Sequence, residues 1–232
     1  MHEIRATLTK KKQAKIILFV LDGVGGIPNP KLTELEAAKT PFLDKITKKS
    51  ETGCHIPILS GLTPGSGAAH LALFGYDPLR YDIGRGILEA LGSDVSVSEK
   101  DVLIRGNFST VKNVGSKIII DDRRAGRITT DTNNRIIKLL QSKINKIDGV
   151  GVEFTSGLEH RFVCKLKFKN KLNSSEVHIL DTDPEEVGVA PLIPKNLNQK
   201  SQKVSKIVAV SYTHLRAHET GRNVVCRLRL EK

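Results

Sequence analysis

The run Lys15-Ile16-Ile17-Leu18-Phe19-Val20-Leu21 is apolar without a break after its first residue. A strand with one wet face alternates polar and apolar residues. An unbroken apolar strand is buried on both faces, as a central parallel strand is. This run ends in Asp22-Gly23 and passes into a Gly- and Pro-rich loop, Gly23 to Pro30. A helix is predicted next, with Thr40 as N-cap, Pro41 in the first turn and Phe42, Leu43 and Ile46 as its buried stripe. Gly53 lies past its end. A short strand, Cys54 to Leu59, is expected to lead into Thr63-Pro64-Gly65-Ser66-Gly67, where another helix starts, to be stopped by Gly75. Arg85 to Leu91 reads as a further helix closed by Gly92. Strand, helix, strand, helix is the α/β pattern.

The texture changes after Gly92. Val102 to Val111 and Lys117 to Ile120 read as a hairpin around Asn113-Val114-Gly115. Asp131 to Asn145 has helical spacing through Ile136, Ile137, Leu140 and Ile144. Phe162, Cys164, Leu166 and Phe168 alternate as in a half-buried strand, and Val177 to Leu180 reads as another strand. The expected organisation is an α/β part over residues 1–92, a smaller α+β part over 93–195, and a linker with a non-native tail over 196–232. Residues 210–232 fit neither part and resemble translated adapter sequence. Their His214 and His218 have no second ligand pair, which falls short of a zinc pattern.

Composition narrows the function classes. No apolar run reaches the roughly 18–20 residues of a membrane helix, and residues 1–12 are basic and polar without a secretory apolar core. Cys54, Cys164 and Cys226 have no paired spacing, which favours a reducing compartment, the cytoplasm. The net charge is +12, yet the lysines alternate with apolar residues as on a solvated strand face, and aromatic residues make up only 4%. Stacking platforms for nucleic acid are scarce at that level, so nucleic acid is not the expected partner.

Three groups of residues could carry chemistry. Asp22 at a strand end is placed to ligate a hard cation, or simply to open an Asp-Gly turn. Ser66 between Gly65 and Gly67 sits at a helix start, where backbone N–H groups favour an anion. It is either an N-cap or a nucleophile, and a hydroxyl needs a metal or base to become one. His70 lies one helical turn on, on the same face. Arg123, Arg124 and Arg127 crowd around one glycine in Asp121-Asp122-Arg123-Arg124-Ala125-Gly126-Arg127. Such planar donors suit phosphates and carboxylates. Arg85 in Gly84-Arg85-Gly86 and the pair His160-Arg161 are further candidates.

Together these segments resemble the archaeal-type, cofactor-independent phosphoglycerate mutases of the alkaline phosphatase superfamily. The resemblance is carried by Leu21-Asp22-Gly23, Pro64-Gly65-Ser66, Ala69-His70-Leu71 and Phe74-Gly75-Tyr76-Asp77-Pro78. It continues through Gly84-Arg85-Gly86, Glu89-Ala90-Leu91-Gly92, Asn107-Phe108, Asp122 to Ile128, His160-Arg161 and Asp183-Pro184. It implies an incomplete alkaline-phosphatase-like core and a smaller substrate-binding domain. It implies interconversion of 3-phosphoglycerate and 2-phosphoglycerate through a phosphoserine at Ser66, with two divalent cations, manganese or magnesium, and no organic cofactor. Asp22 and Ser66 would be metal ligands. Arg85, Arg123, Arg124, Arg127, His160 and Arg161 would bind the small-molecule substrate.

Members of that family continue past the small domain into a second part of the core that carries the remaining Asp and His ligands. No Asp-His cluster follows the small domain here, so an inactive N-terminal fragment is expected. A phosphatase or phosphonate enzyme of the same superfamily, and a non-catalytic basic module for anions, are the alternatives.

Overall fold

The computed structural model describes residues 7, 8, 10, 12–21, 23–62, 65–81, 83–217 and 224–229, with side chains as far as Ser211. The chain divides into two compact units, Met1–His55 and Ile56–Lys232. This division lies well before Ser93, where the change in sequence texture places it.

The first unit holds two short helices, α1 (Glu34–Ala37) and α2 (Pro41–Thr47). Thr33 and Glu36 cap α1 reciprocally. Thr40 precedes α2 as the sequence predicts, but its hydroxyl donates to the Asp44 carboxylate at 2.9 Å and caps no backbone N–H. The expected first strand is absent: residues 15–21 have no regular structure, and Ile17 is 89% exposed. A strand's backbone groups need neighbours on its edges, and the first unit has no other described strand to supply them. Phe42, Leu43 and Ile46, expected as a buried stripe, are exposed as well.

The second unit begins with α3 (Ser66–Leu73) and α4 (Arg85–Gly92). Gly75, at φ 83°, supplies the left-handed residue that stops α3. Cys54 to Leu59 forms no strand. Then come β1 (Asp101–Val114) and β2 (Lys117–Asp122), joined through Gly115, as the sequence predicts. α5 (Thr130–Lys143) follows, with the Thr129 hydroxyl accepting the Thr132 N–H. Asp131 in its first turn and Lys143 in its last suit the helix dipole. The strands β3 (Lys146–Ile147), β4 (Val150–Ser156) and β5 (Arg161–Lys167) complete an antiparallel sheet in the order β2-β1-β5-β4-β3. The result is a mixed α/β unit. Val177 to Leu180 forms no strand; only a lone Ile179–Asn196 bridge falls within it.

The chain from 196 onward departs from the linker expected there. Residues Gln202–Ala217 form α6, and Val204, Ile207 and Val208 are fully buried. They join Ile104, Phe108, Phe162 and Leu166 of the sheet and Ile137 and Leu140 of α5 in one cluster. Val224–Arg229 forms β6, antiparallel to β1 from Arg105 to Thr110. A helix carrying three apolar residues on one face buries them wherever a sheet face is open, and α5 alone leaves part of this face uncovered. The opposite sheet face takes α4, where Ala90 packs on Leu103 and Val163. Covered on both sides, β5 is buried at Phe162 through Leu166, without the alternation expected of it.

Candidate functional site

α4 lies against β1 through Gly86. A Cβ there would stand 2.2 Å from the Leu103 carbonyl oxygen, so only glycine permits this approach. α3 in turn meets α4 at Gly67, where a Cβ would come within 2.9 Å of Leu88. These two contacts hold the start of α3 over the sheet. Gly65, not Ser66, is the N-cap, with no side-chain cap, and Ser66 is the first helical residue. Ser66 therefore caps nothing and its side chain is exposed. The Nδ1–H of His70 donates to the Ser66 carbonyl at 2.6 Å.

Ser66, Gly67 and His70 face Arg85 and Glu89 of α4 and Arg105 of β1 across a cleft of about 370 Å³. An Arg85 guanidinium nitrogen would lie 3.3 Å from a Cβ on Gly65, at the tip of α3. The structure brings Ser66 and Arg85 to one cleft and adds Arg105, which sequence reasoning missed. The only signal for it was a single charge inside the apolar run Val102-Leu103-Ile104-Arg105-Gly106.

The other arginines gather at the β2–α5 turn. Ala125, Gly126 and Arg127 are all left-handed, at φ 50°, 64° and 53°. For Ala125 and Arg127 that conformation is strained. The Asp122 carboxylate holds the turn, accepting the Arg124 N–H at 2.7 Å and the Gly126 N–H at 2.8 Å. These bonds, the Arg124 one foremost, keep the Asp122 carboxyl below its ordinary range despite partial burial. Arg123 is engaged with the buried Asp183 carboxylate at 3.0 Å. Arg124 and Arg127 are exposed, and Arg127 stands 3.7 Å from Glu159.

His160 and Arg161, on the β4–β5 turn and the start of β5, join this group. His160 is buried, and its Nδ1 lies 3.7 Å from Glu159. Burial, then the charge of Arg161, lowers its pKa, with Arg124 and Arg127 adding to the effect, so it is neutral at physiological pH. Arg161 pairs with Asn107 across the β1–β5 register, and Arg105 lies two residues from Asn107 on the same sheet face. Arg105 and Arg161 therefore lie on one sheet face, and His160, beside Arg161, feels the charges of Arg124 and Arg127. Such cations suit a small molecule carrying more than one anionic group.

Among the described residues, no three or more His, Cys, Asp or Glu are grouped so that they could hold a metal ion, and Asp22 lies outside those residues. The Cys164 thiol, fully buried in the core, is pushed up to about 12 and takes no part.

An α/β unit with an open helix tip and several guanidinium groups has the chemistry to bind anions. The sequence model of the family described as 2,3-bisphosphoglycerate-independent phosphoglycerate mutase matches residues 47–220. The chain is 51% identical over 207 residues to a probable 2,3-bisphosphoglycerate-independent phosphoglycerate mutase of Aquifex aeolicus, covering 89% of this chain and 51% of that protein. A protein of the same name from Thermus thermophilus is 46% identical over 205 residues, covering 87% of this chain and 48% of its own length. Among solved structures, a cofactor-independent phosphoglycerate mutase from Thermoplasma acidophilum matches with a TM-score of 0.54 at 24% identity. That match covers 69% of this chain and 44% of that one, and speaks for the fold alone. The chain belongs to the 2,3-bisphosphoglycerate-independent phosphoglycerate mutase family. It spans about half the length of the curated relatives it matches.

Proposed function

We propose that this protein serves the interconversion of 3-phosphoglycerate and 2-phosphoglycerate, with Ser66 as the phosphoryl acceptor. The observation that carries the reading is the placement of Ser66 at an uncapped helix tip beside Arg85 and Arg105. The Ser66 hydroxyl loses its proton as its oxygen attacks phosphorus, the bond to the substrate oxygen breaks, and that oxygen takes up the proton Ser66 gave up. The glycerate then presents its other hydroxyl. This attacks the phosphoserine, the bond to Ser66 breaks, and Ser66 regains its proton. The first-turn N–H groups of α3 and the Arg85 and Arg105 guanidinium groups offset charge on the phosphoryl oxygens, which is the main requirement of such a transfer.

Arg124, Arg127 and Arg161, with neutral His160 among them, bind the carboxylate end. A substrate with both phosphate and carboxylate uses both groups of arginines, which favours a mutase over a simple phosphatase. Arg123 serves instead to tie Asp183 to the arginine turn. Manganese or magnesium, with Asp22 and Ser66 among its ligands, would lower the hydroxyl pKa when bound. The cytoplasm is the compartment that the sparse cysteines favour. This division treats residues 93–195 as the substrate-binding part, with α6 added to it.

The test supplements this chain with the uncovered half of the Aquifex aeolicus relative and follows 2-phosphoglycerate through coupled enolase, with manganese present. Ser66→Ala should abolish turnover while leaving 3-phosphoglycerate binding to the chain, measured by calorimetry, near wild type. Turnover that survives Ser66→Ala refutes the assignment.

A further inference from the structure

The two halves of the arginine group are far apart in sequence, and one buried side chain holds them in place. Asn133 on α5 is wholly buried. Its amide nitrogen donates to the carbonyls of Glu159 at 2.6 Å and Arg161 at 2.5 Å, and reaches that of Gly157 at 3.4 Å. Three carbonyl oxygens around one group leave no choice of amide orientation, since the flipped amide would set oxygen against oxygen. The Asn133 oxygen is left buried without a hydrogen-bond partner. Such an atom is costly, so this residue is not placed for its own satisfaction.

Its neighbours grip the same turn. The Thr130 hydroxyl accepts the Glu159 N–H at 3.1 Å, and the Ser156 hydroxyl donates to the Asn134 side-chain oxygen at 2.5 Å. Glu159 itself is left-handed, at φ 54°, a conformation that needs such support. The N-cap of α5 is Thr129, only two residues beyond Arg127. The start of α5 is thus the shared footing of the Arg124–Arg127 turn and the His160–Arg161 turn.

From this arrangement we infer that Asn133 is a positioning residue for anion recognition, setting His160 and Arg161 in register with Arg124 and Arg127 without touching the ligand. The inference rests on the mutase reading for the identity of the ligand. Asn133→Ser is too short to reach the three carbonyls. In the 232-residue chain it should weaken 3-phosphoglycerate binding by about tenfold or more, the scale of losing one or two such bonds. It should also raise the His160 titration midpoint, followed by NMR of the imidazole C–H, because the loosened turn lets water reach the ring. Amide signals of the β1–β2 hairpin should stay in place, which separates a local loss of register from general destabilisation.

If Asn133→Ser fails to fold, Thr130→Val removes the acceptor of the Glu159 N–H and is read by the same measurements. Binding or the His160 midpoint remaining at its wild-type value in the folded variant overturns the inference. A wild-type chain that does not bind 3-phosphoglycerate even when supplemented with the uncovered half of the Aquifex aeolicus relative defeats the mutase reading instead. The His160 midpoint then decides the inference alone.

Discussion

Gly86→Ala sets two effects against each other, and the structure decides between them. Alanine is the better helix former, by up to about 1 kcal/mol in a helix interior and less near the N-terminus, where residue 86 lies. Against this, the new methyl would sit 2.2 Å from the Leu103 carbonyl oxygen and 2.7 Å from its carbon. Both are backbone atoms of β1 and cannot rotate away. An unstrained carbon–oxygen approach is about 3.3 Å, so α4 and β1 must part by about 1 Å. Overpacking of this kind costs about 1–3 kcal/mol, and the parting also loosens Ala90 from Leu103 and Val163. The net expectation is a loss of about 2 kcal/mol, read as a lower urea midpoint by circular dichroism at unchanged slope. Gly92→Ala is the control: it lies in the same helix, and nothing stands within 4 Å of its added methyl. It should be neutral or mildly stabilising. Arg85 is carried by the same displaced turn, and a misplacement of about 1 Å in a reacting site costs about a hundredfold in rate. A Gly86→Ala chain with a midpoint equal to that of Gly92→Ala would refute the close-contact argument.

Asp122→Asn removes a charged acceptor from the arginine turn and should destabilise by about 2 kcal/mol near neutral pH. The wild-type carboxyl is held below its ordinary 3.8 by the turn's N–H groups. Its contribution is therefore present above that value and lost as pH falls through the lower folded one. The difference in urea midpoint between variant and wild type should shrink from about pH 6 to about pH 3, and a constant difference would count against the assignment. In a Cys226→Ser background, a thiol reagent should modify the exposed Cys54 at once and reach Cys164 only in denaturant. Fast labelling of both thiols would mean that the core around β5 is open.

The elements that sequence reasoning found are those whose signals are local. The β1–β2 hairpin announces itself by Asn113-Val114-Gly115, α5 by its apolar spacing, and the end of α3 by Gly75. What it missed depends on partners distant in the chain. The run at Ile16 has a central strand's composition, but a strand exists only when neighbours take its backbone groups. The burial of β5 on both faces comes from α4, and Gly86 signals that contact only once β1 is in view. The site divides the same way. Ser66, Arg85 and the arginine turn stand beside glycines and read as unusual in sequence. Arg105 and Asn133 are single polar residues in otherwise ordinary patterns, and gain meaning only from the face or turn they meet.

The seating of α6 governs how this protein can be divided. Val204, Ile207 and Val208 form part of the wall around Phe108 and Phe162. A recombinant piece ended at 195, where the sequence suggests a domain edge, would lay bare the aromatic centre of the sheet and draw copies together. A usable boundary lies beyond Arg229, the last residue of β6.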